Sequence, residues 1–165
     1  MKLRSLQQLF IEELQDLYSA EDQILTVLPD IAANAASKEL REALCQHVLQ
    51  TRDHLTRLDR IFDQLGPKVN REARKCRGME GILKDGQGIA KPYSDSNVRD
   101  AGIIAATQLV EHYEISGYGS ASAHAALLGH AAWAGMLQAT LSEEKEADRK
   151  LTHLAERINA ETTAA

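Results

Sequence analysis

Leu109–Gly119 read LVEHYEISGYG, a run in which two carboxylates, Glu111 and Glu114, stand one helical turn apart among small and apolar residues. Residues three and four apart share a helix face, so this spacing predicts a helix that turns both acids inward. The same rhythm through Ile104, Gln108, Ile115, Tyr118 and Ser122 predicts one long helix from about Asn97 to Leu128-Gly129. A further helix follows through Trp133, Leu137, Thr140, Glu144, Ala147, Leu151, Leu154 and Ile158. The polar end ETTAA beyond it is expected to fray from about residue 160.

Toward the start of the chain, Leu6, Phe10, Leu17, Ile24 and Leu28 recur at helical spacing, with Glu13, Ala20 and Glu21 in core-facing positions. Pro29 marks the end of that helix or a kink in it. Ser37 is the expected N-cap of a second helix, whose stripe runs through Leu40, Leu44, His47, Thr51, His54, Leu58, Phe62 and Leu65 and stops at Gly66-Pro67. From about 66 to 97, Gly, Lys, Arg and Asp dominate, and only MEGILKDGQGIA, Met79–Ala90, reads as a short amphipathic helix. The expected fold is all-α and a single domain over 1–165. Two antiparallel helical hairpins form a four-helix bundle, joined by a long crossover that contains a short fifth helix.

The totals agree with that class. The chain has 165 residues, 44% hydrophobic and 26% charged, which suffices for one core and favours helix. A formal charge of −5 argues against a general nucleic-acid partner, which would need a concentrated basic face. No apolar run approaches the roughly 18 residues of a membrane span, and MKLRSLQQLF lacks a leader-like apolar region, so a cytoplasmic protein is expected. Cys45 and Cys76 offer neither a disulfide framework nor a CxxC site, which fits a reducing compartment.

Hairpin geometry tests which polar residues meet, because residues at equal height on antiparallel helices are centred on the turn between them. Glu21 and His54 are centred on Ser37. Glu111 and Glu144 are centred on the second turn, at Leu127 to Leu128, with the same separation along the chain. Carboxylates gathered inside a bundle repel one another and lose hydration, at a cost of several kcal/mol per ion unless a cation compensates. Glu and His suit iron or manganese, and bundle interiors build such centres from facing helices. Glu114, one turn beyond Glu111, and Asp148, one turn beyond Glu144, would supply further ligands. The candidate metal set is therefore Glu21, His54, Glu111, Glu114, Glu144 and Asp148.

Each of these residues alone has a plainer reading, since a core Glu or His is commonly satisfied by a hydroxyl, a water or an arginine. Tyr18, Tyr113, Tyr118 and Arg57 are near enough in sequence to serve. Glu13 and His47, two turns from the level of the set, read as a buried polar pair or as support for it. Glu12, Asp22, Glu143 and Glu146 read as solvated faces, and Trp133 as core or rim packing. Ile11, Leu14 and Val27, beyond the main stripe of the first helix, mark a candidate surface for self-association.

LFIEELQDLYSAEDQIL, HVLQTRDHLTRL, VEHYEISGYG and LSEEKEADRKL together resemble the YciF-like branch of the ferritin-like superfamily, bacterial stress-associated proteins, over nearly the whole chain. The resemblance implies a ferritin-like bundle, a homodimer, a link to stress response and a di-metal centre, but no known reaction. Were the ion ferrous iron, open coordination positions would admit a small oxidant such as O2 or peroxide. In the broader relatives, rubrerythrins and bacterioferritins, the second and fourth helices each carry Glu-x-x-His. Here Thr51 stands where the glutamate before His54 would be, and Ala147 where the histidine after Glu144 would be. Glu111 and Glu114 match the third-helix glutamates, and Glu21 is the best match in the first. These departures leave open one ion, or two with water and Asp148 completing the shell. Tyr113 or Tyr118 would tune the centre from outside. The competing expectation is a helical homodimer that binds a partner and no metal, with its acids serving as buried hydrogen-bonding groups.

Overall fold

The computed structural model describes residues 5–90 and 95–162, the side chains of 161 and 162 excepted. Among the described residues there are five helices and no strand: α1 (Leu6–Asn34), α2 (Lys38–Leu65), α3 (Arg77–Ile89), α4 (Ser96–Leu127) and α5 (Ala131–Thr162). α1 packs on α2 and α4 on α5 as the two hairpins; α3, inside the crossover, packs on α1 and α4.

The helix ends follow from their cap chemistry. Ser5 Oγ accepts from the Gln8 backbone N–H (3.2 Å), and Ser37 Oγ from that of Leu40 (3.3 Å). α2 ends at Gly66, whose φ of 89° suits a residue without Cβ. The α4–α5 turn closes as a Schellman motif: with Gly129 at φ 83°, the His130 N–H reaches Ala125 O and the Gly129 N–H reaches Ala126 O. Asp100, buried near the start of α4, accepts from the backbone N–H groups of Ala36 (2.8 Å) and Ser37 (2.6 Å), tying the first turn to the second hairpin.

Of the two readings of Pro29, the helix end is excluded. α1 neither stops nor ends its packing there but continues to Asn34, because Ile31 and Ala32 bury themselves and offset the missing proline N–H. α5 is helical through Thr162, and the rest of the tail expected to fray, 163–165, lies outside the described residues.

The core is divided along the bundle axis. One apolar group contains Ile24, Leu28, Leu44, Met79, Ile103 and Leu151. The other contains Phe10, Leu14, Leu58, Phe62, Trp133 and Leu137. On each of the four long helices the chain passes from one group to the other through polar residues: Glu21 on α1, His47 to His54 on α2, Glu111 and Glu114 on α4, and Glu144 on α5. Leu14 is fully buried in the second group, so it cannot belong to an outer self-association surface. Among the described residues, no helix is long and apolar enough to cross a membrane.

Candidate metal centre

The polar waist of the bundle brings four carboxylates, Glu21, Glu111, Glu114 and Glu144, together with His47 and His54, all buried. Their donor atoms form two groups. His47, Glu111, Glu114 and Glu144 each place a donor within 4.8 Å of the others, and so do Glu21, His54 and Glu144. Glu144 belongs to both: its Oε1 lies 2.9 Å from His54 Nδ1 and its Oε2 lies 3.9 Å from His47 Nε2.

The orientation of His54 is fixed from behind. Arg57 grips Glu143 with both terminal nitrogens, Nη1 to Oε2 at 2.6 Å and Nη2 to Oε1 at 2.8 Å. Glu143 Oε2 in turn lies 2.9 Å from His54 Nε2. With Nε2–H donating to Glu143, Nδ1 faces inward, 3.2 Å from Glu21 Oε1 and 2.9 Å from Glu144 Oε1. Those separations are short enough for hydrogen bonds, yet Nδ1 is aligned with neither oxygen. Donor atoms around an octahedral ion with bonds of about 2.1 Å lie about 3 Å apart without pointing at one another, which is the relation seen here. A carboxylate behind an imidazole is also the usual support of a metal-ligating histidine.

The remaining donors are unsatisfied. Glu21 Oε2, both oxygens of Glu111, Glu114 and Glu144, both ring nitrogens of His47 and Nδ1 of His54 are buried without a hydrogen-bond partner, as is Thr51 Oγ1 between the two histidines. Glu21 Oε1 is held by the Tyr118 hydroxyl, which donates to it at 2.5 Å. Buried polar groups are normally paired, so this concentration of unpartnered polar atoms in one place marks a candidate binding site.

The titration of these groups records the same crowding. Burial, then the charges of neighbouring carboxylates, hold the Glu111 and Glu114 carboxyls protonated well above the usual range. Burial disfavours a charged His54, but Glu144 and Glu21 outweigh it and its pKa is pushed up to about 10. Glu144 moves down, because its contacts with His54 and the proximity of His47 overcome burial. His47 moves down, burial dominating the attraction of Glu144 and Glu21.

Of the six residues singled out in the sequence, the structure gathers five: Glu21, His54, Glu111, Glu114 and Glu144. It does not bring in Asp148. That carboxylate accepts from Gln108 Nε2 (3.0 Å) and lies 3.3 Å from His112 Nε2, on the half-exposed flank of α5. Two residues read otherwise belong to the centre. His47 does not pair with Glu13, which instead meets His124 Nδ1 at 2.8 Å; it lies 3.4 Å from Glu111 Oε1. Glu143 is not a solvated face but the carboxylate that orients His54. Of the two tyrosines, Tyr118 touches the centre, whereas Tyr113 donates to Asp16 (2.6 Å).

These features define a class: a ferritin-like helical bundle with a carboxylate and imidazole cluster at its waist. Residues 5–164 match the family described as "Domain of unknown function (DUF892)", and the chain belongs to that family. It is 36% identical over 156 residues to Protein YciF of Escherichia coli (strain K12), spanning 94% of this chain and 93% of that protein. The crystal structure of the E. coli stress protein YciF superposes with a TM-score of 0.90 at 34% identity, over 96% of this chain and 99% of that one. YcfI of Rhodopseudomonas palustris, described as a candidate structural protein, superposes with a TM-score of 0.86 at 35% identity, over 92% and 95% of the two chains.

Proposed function

We propose that the waist of the bundle holds two divalent ions, iron or manganese, with Glu144 belonging to both donor groups. His47, Glu111 and Glu114 would complete one site, and Glu21 and His54 the other. The observation that carries this reading is the inward Nδ1 of His54: with Nε2 committed to Glu143, it faces two carboxylate oxygens at hydrogen-bond distance and is aligned with neither. Four carboxylates and two imidazoles suit iron and manganese, and a cation would keep the acids ionised where water is excluded.

Bound iron or manganese would supply redox chemistry toward O2 or a peroxide. The chain's own residues set the conditions for it. Arg57 and Glu143 hold His54 in one orientation, Tyr118 fixes one oxygen of Glu21, and the two apolar groups close the waist from either end. Together with the stress-protein relative, this points to oxidant handling in stressed cells as the role, in a reducing compartment that suits the unpaired Cys45 and Cys76.

Elemental analysis of protein purified without chelator or metal affinity resin tests the reading. About two Fe or Mn per chain are expected, with a sharp loss in Glu111→Gln; unchanged content in that variant would overturn it. A second reading has its own observation. Glu111 and Glu114 hold protons readily, and a proton shared between Glu111 and Glu144 would let the cluster persist without metal, as a polar seam in a homodimeric scaffold. That reading expects no metal and no response of stability to chelator.

A further inference from the structure

Between α2, α4 and α5 a small pocket of about 30 Å³ leads from the surface to the waist. Its inner end is formed by His47 and Glu111, both buried and both carrying unpartnered donor atoms. Its rim includes the exposed Gln46 and Lys150, and its sides include Ala43 and Ala147. Ala147 sits one helical turn beyond Glu144, on the side where any longer side chain would fill the gap. Two of the residues that line the opening thus have short side chains.

We propose that this pocket is where a small exogenous ligand, neutral or anionic and of water to diatomic or triatomic size, reaches and joins the metal centre; this rests on the metal reading above. Three observations agree. The volume admits one or two molecules of that size and nothing like an organic substrate. The rim offers amides and an ammonium, with Glu111 at the inner end as the sole lining carboxylate, so its mouth favours anions or neutral molecules over incoming cations. His47 and Glu111 line the pocket and also belong to the donor group with Glu114 and Glu144, and their donor atoms there have no hydrogen-bond partner, so a molecule in the pocket would lie against that group. The larger groove between α1 and α4, about 490 Å³, is lined by Glu12, Glu13 and Asp16 and reaches none of the donors.

The test loads the full chain with Co2+, whose visible absorption reports its coordination, and titrates it with azide. In the native sequence azide should change the spectrum. In Ala147→Leu the Co2+ content should persist while the azide Kd rises by about tenfold or more. Lys150→Glu, at an exposed rim position that leaves the fold intact, should weaken azide several-fold, and less so at high salt. Equal azide affinity in Co2+-loaded Ala147→Leu would overturn the proposal, as would loss of the response in Ser116→Leu, which narrows the other groove. If Ala147→Leu does not fold, unchanged azide affinity in Lys150→Glu at low salt overturns it. A native chain that binds Co2+ but shows no azide response removes the pocket alone, whereas one that binds no Co2+ removes the metal reading and the pocket with it.

Discussion

α1 and α4 carry two polar clusters about one helical turn apart, and they are built in opposite ways. In the outer one, Tyr113 donates to Asp16 Oδ2 at 2.6 Å, Cys76 Sγ donates to the same oxygen at 3.3 Å, and the hydroxyl and sulfur meet at 3.0 Å. Cys76 also caps α3, and a Cβ at Gly78 would stand 2.8 Å from the Tyr113 ring, so glycine is what lets α3 approach. None of these three side chains is left without a partner. In the inner cluster seven carboxylate oxygens and three ring nitrogens are. A buried polar group that closes on itself is a joint; one that leaves so many acceptors facing inward is a receptacle.

The contrast breaks most readily on metal. If the inner cluster is a receptacle, Fe2+ or Mn2+ at about a thousandfold over Kd should stabilise the fold by about 4 kcal/mol. For a chain of this size that is a rise of about 8–16 °C in Tm by calorimetry. An absent shift would make both clusters joints.

The pH response is the next largest effect. In the metal-free protein, Glu111 and Glu114 have raised folded pKa values, as does His54 at about 10. Stability from such groups is full below their unfolded values and is lost as pH rises toward the folded ones. Between pH 7 and 9 the metal-free chain should therefore lose about 1.4 kcal/mol per pH unit for the His54 proton, while Glu111 and Glu114 add a loss that begins as pH rises above the usual carboxylate range. His47 and Glu144, shifted down, act in the opposite sense, but below about pH 6.5 and 4.5 respectively. Urea melts across that range should show the fall in the metal-free sample and its reversal with metal bound.

Glu114→Gln sharpens the comparison further. It removes a buried ionisable acid, so the metal-free variant should gain about 1–3 kcal/mol at pH 8 while binding less metal. Tyr113→Phe, in the outer cluster, should do the reverse on a smaller scale. It should lose about 1 kcal/mol in denaturant melts with metal content unchanged.

The fold was legible because its signals are local. Apolar periodicity, the Ser37 cap and the Gly66 stop each act within a few residues, and each appears in the structure. The site was legible only within hairpins. A turn fixes which residues on its two helices share a height, and that arithmetic found Glu21 with His54 and Glu111 with Glu144. No turn joins α2 to α5, so nothing in the sequence registered Glu143 against His54, or His47 against Glu111. Restricting the set to one level also discarded His47, although a centre with two donor groups extends along the axis. Asp148 failed for an angular reason: four residues on from Glu144 it is rotated by about 40° around the helix, enough to carry it from the seam to the flank.

The crossover separates the donors as well as the hairpins. Glu21, His47 and His54 come from the part of the chain before it, and Glu111, Glu114 and Glu144 from the part after it. Neither half brings together the donor set of the whole, so any ion would be captured only once the halves have docked. A metal at the waist would act as a rivet between two fragments, and a chain cut within the crossover and mixed as separate pieces would reveal it by reassembling more tightly when the ion is supplied.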